Sequence, residues 1–455
     1  LILLDSSLSE AVEYLASFAW PLGLWFASIF IGLGFAWPRL RGPIFSKPIY
    51  RLLCLASLLI PMIAIQHRRY GDTVGSANQY FRDCFPWSAI AGRLQAGDEL
   101  STFSAMQRDL NSANNVAVKR ISAGRMPRTV VLVIGESARR DRHSIYGYGQ
   151  ATTPFAEKAD GLLAFANAVT LYPQTVDAVP VILAKRDRAS SEVPLPSLVK
   201  LFSNAGYHTA WISNQAALGA DDSPVSIYAG QADYRSFART LSRYGSIPLD
   251  ESLLPRFREQ LAGKPVDRFI VLHLFGSHEE FSRRYPHEYA LLPDPYDNSI
   301  RYTDSILNTI HNELAAMPGE NALVYVADHG LKLGECDGRS EHFDAKGSYE
   351  VPLYIWTSPS WRQNHAEQWT AAVSHTDFPV TTMSVVDTLM DLADLRYSQY
   401  DPGLSLLSEK LHPSKRLVHT FSGTVDYDQA SNDARCHLIA NAQPLTNNGV
   451  RSDRP

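Results

Sequence analysis

The residues best suited to bind a metal or to handle phosphate share a setting: most follow an apolar run, and the last two close the loop beyond one. Val130–Ile134 leads directly into Gly135, Glu136 and Ser137. The stretch ALVYVADHG ends in Asp328, His329 and Gly330, and FIVLHLFGSHEEF carries His278 just past Gly276 and Ser277. The loop LKLGECDGRSEHF closes on Glu341 and His342. Carboxylates and imidazoles with few thiolates suit Zn2+, with Mn2+ second. Each residue alone has an ordinary reading. Glu136 is as well placed to start a helix as to bind a metal, Ser137 would N-cap a helix opening at ARRD, and a lone histidine is more often structural.

For these groups to meet, the apolar runs must be neighbouring strands that end at one sheet edge. VVLVIG, HTAWIS, RFIVLHLFG, ALVYVADHG and PLYIWT alternate with helical stretches such as LPSLVKLFSNAG and NSIRYTDSILNTIHNEL. That alternation predicts a mostly parallel sheet flanked by helices. Continuous Val/Leu/Ile runs predict strands covered on both faces. In such sheets ligands sit beyond the carboxyl ends of the strands. Consecutive strand residues point to opposite faces, so Asp328 and His329 can share an ion only where the strand stops, and Gly330 permits the turn.

The N-terminal part is of another kind. Leu15 to Trp37 carries no charge and is long enough to cross a bilayer, which takes about 20 residues. A second apolar segment spans about 49–66 and holds Arg51 near its start, where the side chain can snorkel. Between them lie Arg39, Arg41 and Lys47, whereas Asp5, Glu10 and Glu13 precede the first segment. The positive-inside rule puts the basic loop in the cytoplasm and delivers everything after residue 70 to the far side, the periplasm of a Gram-negative cell. The opening LILL reads as the tail of an earlier membrane helix, making the chain a fragment. We divide the chain into a transmembrane region 1–70, a bridging segment 71–127 with amphipathic helices at the membrane surface, a catalytic domain 128–440 and a loose polar tail 441–455.

A formal net charge of −5 and 20% charged residues leave no footprint for nucleic acid. The four cysteines, Cys54, Cys84, Cys336 and Cys436, have no CxxC spacing and support neither a disulfide framework nor a cysteine–zinc site.

An ordered set of strings gives these residues a context: GES and GYGQATTP, WISNQ at 211–215, LHLFGSHEEFSRRYP at 272–286, YDNSIRYTD at 296–304 and ADHG at 327–330. Together they resemble the phosphoethanolamine transferases of the Gram-negative inner membrane, members of the alkaline phosphatase/sulfatase superfamily. The resemblance covers roughly 15–400. It implies an alkaline phosphatase/sulfatase-like α/β/α sandwich preceded by transmembrane helices. It makes Glu136, Asp328 and His329 zinc ligands, and Thr175, in LYPQTVDAVPVIL, both a ligand and the nucleophile at a helix start. His278 and His342 would hold the donor phosphate or a second zinc, or serve a leaving group. Asn214 and Gln215 would contact the donor headgroup or hold a loop. Coordination to Zn2+ would lower the pKa of the threonine hydroxyl, and a helix N-terminus would favour phosphate charge.

The implied reaction takes phosphoethanolamine from phosphatidylethanolamine to a lipopolysaccharide or periplasmic glycan acceptor in two displacements. Ser137 is the alternative nucleophile. The flank PQTVDAVPV lacks the cysteines found beside the nucleophile in many lipid A-modifying members, so the chain resembles the disulfide-poor branches. Alternatives are a manganese-dependent phosphoglycerol transferase and an inactive membrane scaffold of the same fold.

Overall fold

The computed structural model describes residues 116–440, apart from 123–125, 186, 188–195, 217–222, 240–247, 337, 339, 342 and 414. The expected membrane helices, most of the bridging segment, the tail and His342 therefore lie outside the described residues. Among the described residues, no helix is long and apolar enough to cross a membrane.

Seven strands form the central sheet: β1 (Arg128–Gly135), β2 (Leu162–Ala164), β3 (His208–Ala216), β4 (Tyr234–Arg239), β5 (Arg268–His273), β6 (Glu320–Ala327) and β7 (Leu353–Thr357). Their order is β2-β7-β6-β1-β5-β3-β4. Every pairing from β6 through β1, β5 and β3 to β4 is parallel, while β7 runs antiparallel to both β6 and β2. The five apolar runs are all strands of this sheet. PLYIWT is the reversed one; of the edge strands, β4 has no comparable apolar run and β2 is only three residues long.

All eight residues of β1 are buried, as expected of a run with no polar face. Val131 and Val133 share a core cluster with Ile270, Leu272, Leu323 and Tyr325, and with Ile306, Ile310 and Leu314 of a long helix. Val130, Leu132 and Ile134, which point the other way, are at most 1% exposed, so both faces of the sheet are covered. Four helices matter below: α1 (Thr175–Ala184), α2 (Leu198–Asn204), α3 (Pro295–Ala315) and α4 (Ser384–Leu392). Asp294 caps α3 by accepting the Tyr296 N–H, and Ser197 caps α2 through the Lys200 N–H.

Register sets the site's position. Gly135 pairs with Ala327 and Ile134 with His273, so the three central strands end side by side. The residues that follow them, Glu136, Asp328 and the 274–278 turn, emerge at one edge.

Two expectations change. Cys336 and Cys436 form a disulfide, with Cα atoms 5.9 Å apart across a separation of 100 residues. Sequence spacing hides such a pair because only the fold brings its partners together. And no α-helix opens at ARRD. A three-residue 3-10 turn, Arg140–Arg142, stands there without a side-chain cap.

Candidate active site

Glu136 leaves β1 into a turn whose next residue, Ser137, has φ +53°. The Ser137 hydroxyl donates to Glu136 Oε1 at 2.6 Å, and its carbonyl accepts from the Tyr296 hydroxyl at 2.7 Å. Ser137 thus steadies the glutamate instead of capping a helix. Past β6 the Asp328 N–H donates to the Gly135 carbonyl at 3.0 Å, and the Gly330 N–H to the Ser348 carbonyl at 2.8 Å. Only glycine fits at 330, because a Cβ there would lie 2.1 Å from the Gly347 carbonyl oxygen. That close turn lets adjacent Asp328 and His329 face one point.

Glu136, Asp328 and His329 are all buried, and one ligand atom from each lies within 4.8 Å of the others. Thr175 opens α1, with its hydroxyl 3.0 Å from Glu136 Oε2 and 3.2 Å from His329 Nε2. His329 Nδ1 donates to the Gly330 carbonyl at 2.6 Å. That bond selects the tautomer in which the Nε2 lone pair faces Thr175 and Glu136.

The electrostatics of this cluster call for a cation. Burial, then the nearby Asp328 charge, pushes the Glu136 carboxyl up, against the pull of His329, His278 and the Ser137 hydrogen bond. Burial likewise raises Asp328 to about 6, despite hydrogen bonds that favour its charge. Asp328 Oδ2 is buried and lacks a hydrogen-bond partner among the described residues. Two desolvated carboxylates, an orphaned oxygen and a correctly oriented imidazole fit a Zn2+ donor set.

His278 is half-buried on the turn after β5. Its ring stacks on Phe275, with centroids 4.8 Å apart, and its charge acts on Glu136. Gln215 reaches the cluster from the end of β3, where its Nε2 donates to Glu136 Oε2 at 3.2 Å. Asn214 does not face the cluster. Its amide donates to the Pro248 carbonyl and to Asp250 Oδ1, each at 2.8 Å, which is the loop-holding alternative. Sequence reasoning missed Tyr296 and Asp250. Tyr296 stands at the head of the YDNSIRYTD string. Asp250 sits in IPLDESLLP, a mixed stretch with no local signal.

The sulfatase family model matches residues 128–395, more than half of the chain. Over 470 residues the chain is 26% identical to phosphoethanolamine transferase EptC of Escherichia coli K12, covering 94% of this chain and 80% of that protein. It is 27% identical over 468 residues to phosphoethanolamine transferase CptA of Salmonella typhimurium, with the same coverage of 94% and 80%. Among solved structures, the periplasmic domain of Escherichia coli EptC in complex with Zn superimposes with a TM-score of 0.62 at 27% identity, covering 69% of this chain and 96% of that one. The periplasmic domain of Campylobacter jejuni EptC does so with a TM-score of 0.56 at 25% identity, covering 66% and 98%. The chain belongs to the sulfatase family, among its phosphoethanolamine transferases.

Proposed function

We propose that the chain moves phosphoethanolamine from phosphatidylethanolamine to an envelope acceptor, lipopolysaccharide or another glycan. Thr175 is the nucleophile, and Glu136, Thr175, Asp328 and His329 hold Zn2+. The observation that carries this reading is the Thr175 hydroxyl, 3.0 Å from Glu136 and 3.2 Å from His329 at the first turn of α1. Bound zinc would supply the positive charge that eases proton loss from the hydroxyl and offsets charge on the phosphoryl group.

The chain's own residues do the rest. Glu136 and His329 aim Thr175 Oγ1 at the donor phosphorus. The Thr175 O–P bond forms as the bond to diacylglycerol breaks. An acceptor hydroxyl then attacks the phosphothreonine and restores Thr175. The N-terminus of α1 favours the phosphoryl charge. His278 and His342 neutralise phosphoryl oxygens, protonate the leaving oxygen or bind a second zinc. The Cys336–Cys436 disulfide supports an oxidising compartment such as the periplasm, and the uncharged 15–37 segment supports anchoring in the inner membrane.

The test is mass spectrometry of the full chain after exposure to phosphatidylethanolamine. A phosphoethanolamine adduct is expected on Thr175, and Thr175→Ala should abolish transfer while largely retaining zinc. An adduct on Ser137 would overturn the assignment.

A further inference from the structure

Another buried carboxylate, Asp250, lies behind the site, and the transfer chemistry does not use it. It opens the short 3-10 turn Asp250–Leu253 and is 3% exposed. Both its oxygens are engaged. Oδ1 accepts the Phe275 N–H and an Asn214 amide hydrogen, each at 2.8 Å, and Oδ2 accepts the Gly276 N–H at 2.9 Å. Successive backbone N–H groups converging on one carboxylate define a tight turn.

That turn is pressed against Glu136. Gly276 has φ +46°, and a Cβ there would approach the Glu136 backbone nitrogen and oxygen to 2.9 Å. The Ser277 N–H donates to the Glu136 carbonyl at 3.0 Å, and the His278 N–H closes back on the Phe275 carbonyl at 3.3 Å. The His278 ring stacks on Phe275 at an interplanar angle of 12°. The Arg284 guanidinium, whose side chain is 4% exposed, lies 4.5 Å from the same Phe275 ring. A continuous set of contacts therefore runs from Asp250 through the turn to the imidazole, with Arg284 bearing on its aromatic support.

We propose that Asp250 is a positioning residue for phosphoryl transfer, fixing the Phe275–His278 turn on the Glu136 backbone so that His278 meets the donor phosphate, with Arg284 holding the Phe275 ring. The inference rests on the transfer reading above, in which His278 acts on the phosphoryl group. An asparagine at 250 would turn an NH2 donor toward one of the two loop N–H groups, so the turn would lose its shape although volume is conserved.

A purely structural Asp250 would also slow the enzyme when replaced, so the test is a double-mutant cycle on the full-length, zinc-loaded chain. Transfer from phosphatidylethanolamine is measured in the wild type, Asp250→Asn, His278→Ala and the double variant, with bound zinc quantified in each. The expected result is that Asp250→Asn lowers kcat by about tenfold or more, keeps its first zinc and adds almost nothing to the loss already present in His278→Ala. Equal losses from Asp250→Asn in the wild-type and His278→Ala backgrounds would overturn the proposal. So would an unchanged wild-type rate in either single variant. If Asp250→Asn does not fold, Arg284→Met takes its place in the same cycle, judged by the same outcomes. Failure of the underlying reading shows separately, as transfer that survives Thr175→Ala.

Discussion

Gln215 Nε2 donates to Glu136 Oε2 across 3.2 Å and to the Leu274 carbonyl across 3.1 Å. One amide thus joins the end of β3, the turn after β5 and the carboxylate at the end of β1. The same carboxylate oxygen accepts from Thr175, so Gln215 orients the atom that faces the Thr175 hydroxyl. Replacing Gln215 with leucine keeps most of its volume and removes that restraint. Zinc affinity should fall by about 10- to 100-fold, as for other partners of metal-binding side chains. Chelator competition measures it, and an unchanged affinity would show that Glu136 needs no such support.

The two histidines at the strand ends should behave differently. His329 directs Nε2 into the carboxylate pair, 3.5 Å from both Glu136 Oε1 and Asp328 Oδ2. His278 stands on a separate turn. His329→Ala should lose zinc, whereas His278→Ala should keep the first zinc and slow transfer. Metal analysis of both purified variants decides, and equal zinc loss would mean that the ligand set is wrongly drawn.

The far end of α1 is fixed by a buried ion pair. Lys185, just past α1, donates to Asp387 Oδ2 of α4 and to the Gln399 carbonyl, each at 2.9 Å, and the Tyr397 hydroxyl donates to Asp387 Oδ1. Lys185→Met would leave the Asp387 charge buried without its cation. A loss of about 3–5 kcal/mol is expected for breaking such a pair, read as a lower denaturant midpoint.

Acid should weaken the base of the sheet. Burial alone would raise the Glu320 carboxyl, but hydrogen bonds from His365, Asn364 and Arg128, with the Arg128 charge, hold it down to about 2 from an ordinary 4.5. Because the folded value is the lower one, the stabilisation is complete above 4.5 and is lost as pH falls toward 2. The shift corresponds to roughly 3 kcal/mol. Urea midpoints measured across this range should fall in the wild type and change less in Glu320→Gln. Parallel pH curves for the two proteins would refute the assignment.

Much of this was legible in the sequence because central parallel strands must be apolar on both faces. VVLVIG, RFIVLHLFG and ALVYVADHG therefore announced themselves, and the polar residues at their ends marked the site's edge. Edge strands carry no such constraint, which is why Leu162–Ala164 and Tyr234–Arg239 went unseen. Asp250 escaped for a related reason: two of its three partners, the N–H groups of Phe275 and Gly276, are contributed by the main chain and leave no trace in side-chain pattern. Thr175 was reached through family resemblance alone, since a lone threonine before a short helix has no distinguishing spacing. Ser137 looked like a helix cap because Ser before a charged run usually is one. Here its left-handed backbone turns the hydroxyl back onto Glu136.

The sulfur bridge between Cys336 and Cys436 makes a closed covalent ring of the polypeptide that contains both β7 and α4. A protease that cut once within that ring would not release a fragment. The product would migrate as one species without reductant and separate into two pieces with it, so cleavage there can be overlooked unless thiols are added before electrophoresis.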